Sequence, residues 1–202
     1  MLQMFAKSML LLMLTVIICC GIYPAAIWAV GQTFFPFQAN GSLLRDVDNK
    51  IVGSKLIAQA FTEDDYFHPR PSAASYDPIA SASSTLAVSN PALRDRVART
   101  IEAFAAHHDI NLKSIPGDAV TTSASGLDPH ITLQNAEFQL DRVSAKWAAN
   151  LKRDPITVRN EIAQLLKKNA CAPFYGLIGE KIVNVLEVNL ALRQAYGKSL
   201  RN

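Results

Sequence analysis

The sequence is short of cysteine and short of charge, and it lacks the motifs that carry phosphate chemistry. Only three cysteines occur in 202 residues. Cys19 and Cys20 fall in an apolar run and Cys171 stands alone beyond it, so no disulfide can form in the segment that follows, and packing has to stabilise it. Charged residues are 18% of the chain, against roughly 25% in ordinary soluble domains. There is no Gly-rich phosphate loop, no Walker-type lysine and no DKTGT-like phosphorylation sequence, which excludes nucleotide hydrolysis by this chain. No Gly-x-Ser-x-Gly elbow occurs either. Lys7 aside, the 20 Lys+Arg fall to 19 against 17 Asp+Glu, a net of +2. That balance offers no basic stripe for nucleic acid and no acidic funnel for cations.

The shortage of charge is local. After Lys7 no charged residue appears until Arg45, and residues 8–37 are almost wholly apolar. A hydrocarbon core about 30 Å thick needs roughly 20 helical residues, and Met9 to Val30 supplies 22. The run predicts one transmembrane helix over 9–30, following a short cytoplasmic N-terminus (1–8). Pro24 lies inside it, which membrane helices tolerate. Tyr23, Trp28 and the Phe34-Phe35 pair suit the outer interface. A cleaved signal peptide is the rival reading, and Ala29-Val30-Gly31 offers small residues for it. A signal core is only about 7–15 residues, however, so an uncleaved anchor is expected. Lys7 sets the amino terminus inside by the positive-inside rule, which places the remaining chain outside the cytoplasm.

Residues 31–202 read as a single exported α+β domain. Two extended runs around Asp48-Asn49 suggest a hairpin. A Pro/Ser-rich loop spans 63–89, long enough to be functional or disordered, and its aromatics (Tyr66, Phe67, Tyr76) favour an ordered loop. Asn90-Pro91 opens a helix that runs to about His107. Ala119 to Thr122 suggests a short strand. Thr132 caps a second helix with Leu133, Ala136, Leu140, Val143 and Trp147 on one face. Thr157 is expected to cap a third helix, and a short strand plus a final helix are expected within Gly179–Tyr196.

Three constellations invite a chemical reading. The stretch TSASGLDPHI (122–131) sets Ser125, Asp128 and His130 close together, as a hydrolase or a metal site would require. Triad members must converge in space, and residues this near in sequence seldom do; a zinc site would want three or four ligands. Turn chemistry accounts for each residue separately. Gly126 permits positive φ, Asp128 can bond amides two residues on, and Pro129 fixes φ. A structural turn between a strand and a helix is therefore expected, and no catalytic residue or metal ligand is assigned. His107-His108 are adjacent rather than four apart, and read as a helix end. YFHPRP, with Tyr66, Phe67, His68 and Arg70, is open between a partner-contact patch and a well-packed loop. A free-standing sensor domain is a further alternative to the hydrolase.

Several stretches carry a family resemblance: Tyr23-Pro24, FPFQANGSL (34–43), GSKLIAQAF (53–61), YFHPRPSA (66–73), SNPAL (89–93), SASGLDPHI (123–131) and VNVLEVNLAL (183–192). With them the chain resembles, nearly end to end, the C-subunit (KdpC) family of bacterial Kdp potassium-transporting P-type ATPases. The resemblance implies a single-pass inner-membrane accessory subunit of a high-affinity potassium importer. Its partners would be a channel-like potassium-binding subunit, an ATP-hydrolysing P-type subunit and a small membrane peptide. It also implies a chaperone-like role that raises the ATP affinity of the hydrolysing subunit, with nucleotide binding ascribed to the family. The cofactor expectation is thus none from this chain's own residues, with ATP on the partner. The chain departs from the family where Ser81-Ala82-Ser83-Ser84-Thr85 stands for Ser-Gly-Gly-Ser-Asn and where Pro69 stands for glycine. Losing those glycines at Pro69, Ala82 and Ser83 removes positive-φ options, so altered packing of the loop is expected.

Overall fold

The computed structural model describes residues 1–46, 48–107, 114–177 and 179–197, without the side chains of 103–107, 174 and 175. The chain forms two compact units, Met1–Leu43 and Leu44–Asn202.

The first unit is dominated by one apolar helix, Leu2–Phe34. It comprises α1 (Leu2–Val16), a π-helical turn (Ile17–Ile22) and α2 (Tyr23–Phe34). The π turn has a local cause. Pro24 cannot donate to the Cys20 carbonyl, and its ring presses on it, so the helix widens just ahead of the proline. Tyr23 and Pro24 open α2. At 1.5 Å per residue the 33 residues extend about 50 Å, more than a hydrocarbon core needs. The helix carries a mean hydropathy of 2.4 in its most apolar window and is the one described helix long and apolar enough to cross a membrane. A short helix α3 (Pro36–Ala39) follows.

The second unit is an α+β domain. β1 (Leu43–Arg45) and β2 (Ile51–Ser54) form one two-stranded sheet. The turn between them is closed by Asp46 N–H donating to the Lys50 carbonyl (2.9 Å). Asn49 takes a left-handed φ of 60° there, which its side chain tolerates better than most. β3 (His130–Thr132) and β4 (Ile182–Asn184) form a second antiparallel sheet, with Ile131 opposite Val183. No helix or strand lies between Ser54 and Pro91.

Helix starts follow their capping chemistry. Asn90 Oδ1 accepts from Ala92 N–H at the start of α4 (Pro91–His107). Thr132 Oγ1 accepts from Asn135 N–H and starts α6 (Leu133–Leu151). Asn184 accepts from Glu187 N–H and starts α8 (Val185–Tyr196). The start of α7 (Pro155–Asn169) corrects an expectation. Asp154, not Thr157, is the cap, and its carboxylate accepts from Thr157 N–H (2.8 Å) and from the Thr157 hydroxyl. Pro155 takes the first helical position, where its fixed φ fits and its missing N–H costs nothing. A second correction concerns Ala119–Thr122. The strand expected there is instead part of α5 (Gly117–Val120), a single turn that buries Ala119 and Val120. The β-branched pair Val120-Thr121 suggested a strand, but among the described residues no strand pairs with it.

The core lies where α6, α7, α8 and the β3–β4 sheet meet. Ile131, Leu140, Val143, Trp147, Ile162, Leu166, Val188 and Leu192 are buried together. The stripe predicted for α6 is this inner face. α4 is different: Leu93, Val97 and Ile101 are only half-buried. Phe104 and the His107-His108 side chains lie outside the described residues.

Candidate functional site: a strapped loop and the turn beneath it

The proline-rich loop enters the core. Phe67 is 1% exposed and belongs to the central cluster. An extended segment in that position carries backbone polar groups that no strand satisfies, and leaving them unpaired would cost about 1–3 kcal/mol each. Four side chains pair them. Arg142 donates to the Asp64 carbonyl (2.7 Å) and the Tyr66 carbonyl (3.0 Å). Trp147 Nε1 donates to the Asp65 carbonyl (2.7 Å). Asn189 accepts from Phe67 N–H and donates to the Phe67 carbonyl, both at 2.9 Å. Gln139 does the same for His68, at 2.7 and 3.1 Å. All five carbonyls from Asp64 to His68 are engaged. Gln139, Arg142 and Trp147 can act together because spacings of three and eight bring them to one face of α6, while Asn189 reaches in from α8.

The second half of the loop sits on the segment Thr122–Ile131. Arg70 donates to the Thr122 carbonyl (3.1 Å) and its guanidinium stands 3.8 Å from Asp128. Ser123 N–H donates to the Pro71 carbonyl (3.3 Å). The Ser72 hydroxyl donates to the Gly126 carbonyl (2.6 Å) and accepts from Ala74 and Tyr76 N–H. Tyr76 returns its hydroxyl to the Arg70 carbonyl (2.8 Å), and burial pushes that phenol's pKa up.

Gly126 has φ +72°, and a Cβ there would lie 2.8 Å from the Ala82 carbonyl oxygen. Asp128 Oδ1 accepts from His130 N–H and from His130 Nδ1, each at 3.0 Å. The ring bond to His130 is the main reason the carboxyl is held below its ordinary value, with the backbone bond and Arg70 adding to it against partial burial. The Pro129 carbonyl accepts from Val185 N–H (3.0 Å). The turn leads into strand β3 and only then, through Thr132, into α6. It therefore joins α5 to a strand, a correction to the strand-to-helix turn expected. Asp118 of α5 holds the far end by accepting from Thr132 N–H (2.8 Å) and its hydroxyl (3.2 Å).

The hydrolase alternative meets a specific obstacle. Asp128 and His130 do pair, but the Ser125 hydroxyl accepts from Leu127 N–H (3.1 Å), and no described hydrogen bond joins it to His130. Among the described residues no group of three His, Cys, Asp or Glu side chains is placed to hold a metal. An open groove of about 720 Å³ runs beside Lys152, Arg153, Glu161 and Tyr196. Its Arg153 and Glu161 are already paired with each other, Arg153 Nη2 standing 2.6 Å from Glu161, and the Tyr196 hydroxyl donates to Glu161 (2.8 Å).

The YFHPRP residues thus divide. Phe67 is a core residue and offers no surface to a partner. Tyr66, His68 and Arg70 are half-buried, and Arg70 ties the loop to the turn. Gln139, Arg142 and Asn189 were missed by sequence reasoning. For two of them a signal was present: Gln139 stands with Asn135 among the apolar residues of the α6 inner face, and Asn189 interrupts an aliphatic run.

Fold and site together define a chain with one helix able to span a membrane and an α+β domain whose polar groups are spent on holding a loop. The sequence model of the KdpC family, described as "K+-transporting ATPase, c chain", matches residues 5–194. The chain belongs to this family. It is 45% identical over 175 residues to the potassium-transporting ATPase KdpC subunits of Escherichia coli O7:K1 and Escherichia coli O157:H7, covering 85% of this chain and 87% of each relative. The corresponding subunit of Shigella dysenteriae serotype 1 is 44% identical over the same coverage.

Proposed function

We propose that the protein is the accessory C subunit of a high-affinity, ATP-driven potassium importer of the bacterial inner membrane. The observation that carries this reading is the family match, which runs through both the apolar helix and the α+β domain. The helix anchors the chain with its amino terminus in the cytoplasm, following Lys7, and the domain lies outside. Its partners are the channel-like potassium-binding subunit, the ATP-hydrolysing P-type subunit and a small membrane peptide. The chain stabilises their assembly and does not itself hydrolyse ATP. A chaperone-like rise in the ATP affinity of the hydrolysing subunit fits this reading as a coupling free energy passed through the helix. Such coupling requires that the chain favour one conformational state of its partner, and requires no ATP site of its own.

The test is co-purification. A C-terminally tagged chain is extracted from native membranes in mild detergent, and the accompanying chains are identified by mass spectrometry. A P-type ATPase and a channel-like subunit in stoichiometric amounts are expected. Recovery of the chain alone, with those subunits expressed, refutes the reading.

A further inference from the structure

We infer that the 79–88 loop and Arg96 of α4 form a partner-docking surface for a protein face that presents apolar pockets and a carboxylate. The inference rests on the subunit reading above and identifies the surface by which the domain meets another subunit. Three observations converge on it. Ile79 and Val88 are 95% and 91% exposed, the two most exposed large aliphatic side chains among the described residues of the second unit, ahead of Leu177 at 84%. Isolated exposed aliphatics are ordinary, but these two bracket a segment that is held in place. Ala82 N–H donates to the Ser125 carbonyl (3.1 Å), the Ser81 hydroxyl reaches the same oxygen (3.3 Å), and Asn90 N–H closes on the Ala87 carbonyl (2.9 Å).

Arg96 is the second observation. It is half-buried, donates to Ser84 Oγ at 3.4 Å, and has a buried Nε with no acceptor among the described residues. Among the described residues no carboxylate lies within ion-pair distance of Arg94, Arg96 or Arg99, although six other ion pairs join Lys or Arg to carboxylates elsewhere in the unit. The third observation is charge. No charged side chain occurs from Pro78 to Leu93, and 94–99 then carries three arginines against Asp95. Two exposed aliphatics thus flank a loop bonded at Ser84 to an arginine with no described counter-ion, a surface that a partner can both desolvate and neutralise, and charge complementarity selects an acidic occupant.

The experiment uses the full chain in its native membranes. A photo-crosslinking amino acid is placed singly at 79, 88 and, as controls, at exposed Ile156 and Leu177, and the tagged complex is purified. Crosslinks from 79 and 88 to one and the same partner subunit, absent from both controls, are expected. Ile79→Asp and Val88→Asp touch no core contact and are expected to lower partner recovery at least fivefold in combination. Arg96→Glu should lower it tenfold while Arg96→Lys keeps most of it, and recovery should fall as salt is raised. An intact complex with no crosslinks from 79 or 88, or with full recovery in the Asp double variant, overturns the inference and leaves the subunit reading standing. Crosslinks to lipid alone overturn it in favour of a membrane contact. A wild-type chain recovered without partners overturns both.

Discussion

Two parts of one proline- and serine-rich segment behave oppositely. Residues 64–68 have no regular secondary structure, yet four side chains pair their carbonyls and Phe67 is in the core. Residues 79–88 also lack regular structure, but they are tied at few points and hold their largest aliphatics in solvent. The contrast shows that what decides a loop's role is whether neighbouring helices offer polar side chains to its backbone. The strap residues answer the desolvation of 64–68, and among the described residues no equivalent set faces 79–88.

The contrast breaks most visibly at Phe67. Phe67→Ala is expected to destabilise the domain by about 3–5 kcal/mol, the usual cost of emptying a buried aromatic site. The denaturant midpoint of the full chain in mild detergent measures it. Ile79→Asp, in the other half of the segment, should leave that midpoint unchanged. Next comes the strap itself. Asn189→Leu leaves the Phe67 N–H and carbonyl buried and unpaired, for an expected loss of about 2–4 kcal/mol. If Asn189→Leu proved harmless, water or backbone movement would have to satisfy those groups, and the strap would be incidental.

Gly126→Ala sharpens the comparison from below, because Gly126 lies against the Ala82 carbonyl and the Ala74 backbone while its own carbonyl accepts from Ser72. A methyl group there meets the Ala82 carbonyl and imposes an L-residue on φ +72°, for an expected loss of about 1–3 kcal/mol. Asp128→Ala should cost less, about 1 kcal/mol, since the side chain is 39% exposed and solvent screens its pairs. Its pH dependence has a definite sign. The folded carboxyl titrates below its ordinary value near 3.8, so its contribution is present above that pH and is lost as pH falls through the lowered one. Wild type and variant should differ at neutral pH and converge in acid.

These positions show what was legible in the sequence and what was not. The membrane helix, the Asn90, Thr132 and α6 patterns, the Asp48-Asn49 turn and the Gly126-Leu127-Asp128-Pro129 turn depend on local spacing, which a sequence displays directly. The strap depends on contacts between residues more than 70 positions apart, such as His68 with Gln139 and Phe67 with Asn189. Gln139 and Asn189 could be flagged as polar intruders in apolar stripes, but their partners follow only from the packing of α6 against α8. Thr157 and Ala119–Thr122 failed for a different reason. In each case a weaker local preference was read where a stronger neighbour, Asp154-Pro155 in one case and Pro116 in the other, governed the backbone.

The loss of glycines from the loop has a narrower consequence than composition suggests. Pro69, Ala82 and Ser83 are not among the left-handed residues, so glycine's freedom is not needed at any of them. Within 81–85 the left-handed position is Thr85, at φ +48°. A β-branched residue is poorly suited to that region, and asparagine tolerates it. Thr85→Asn is therefore expected to stabilise the domain by about 0.5–1 kcal/mol, the smallest effect here and the only gain. Thr85→Gly separates backbone relief from a new side-chain contact, because it removes the Cβ without adding an amide. If Asn stabilises and partner recovery is unchanged, Thr85 is a tolerated replacement in a passive loop. If stability rises while recovery falls, the left-handed threonine holds 79–88 in its docking shape, and the looser half of the segment is kept strained for the partner as the tighter half is kept paired for the fold.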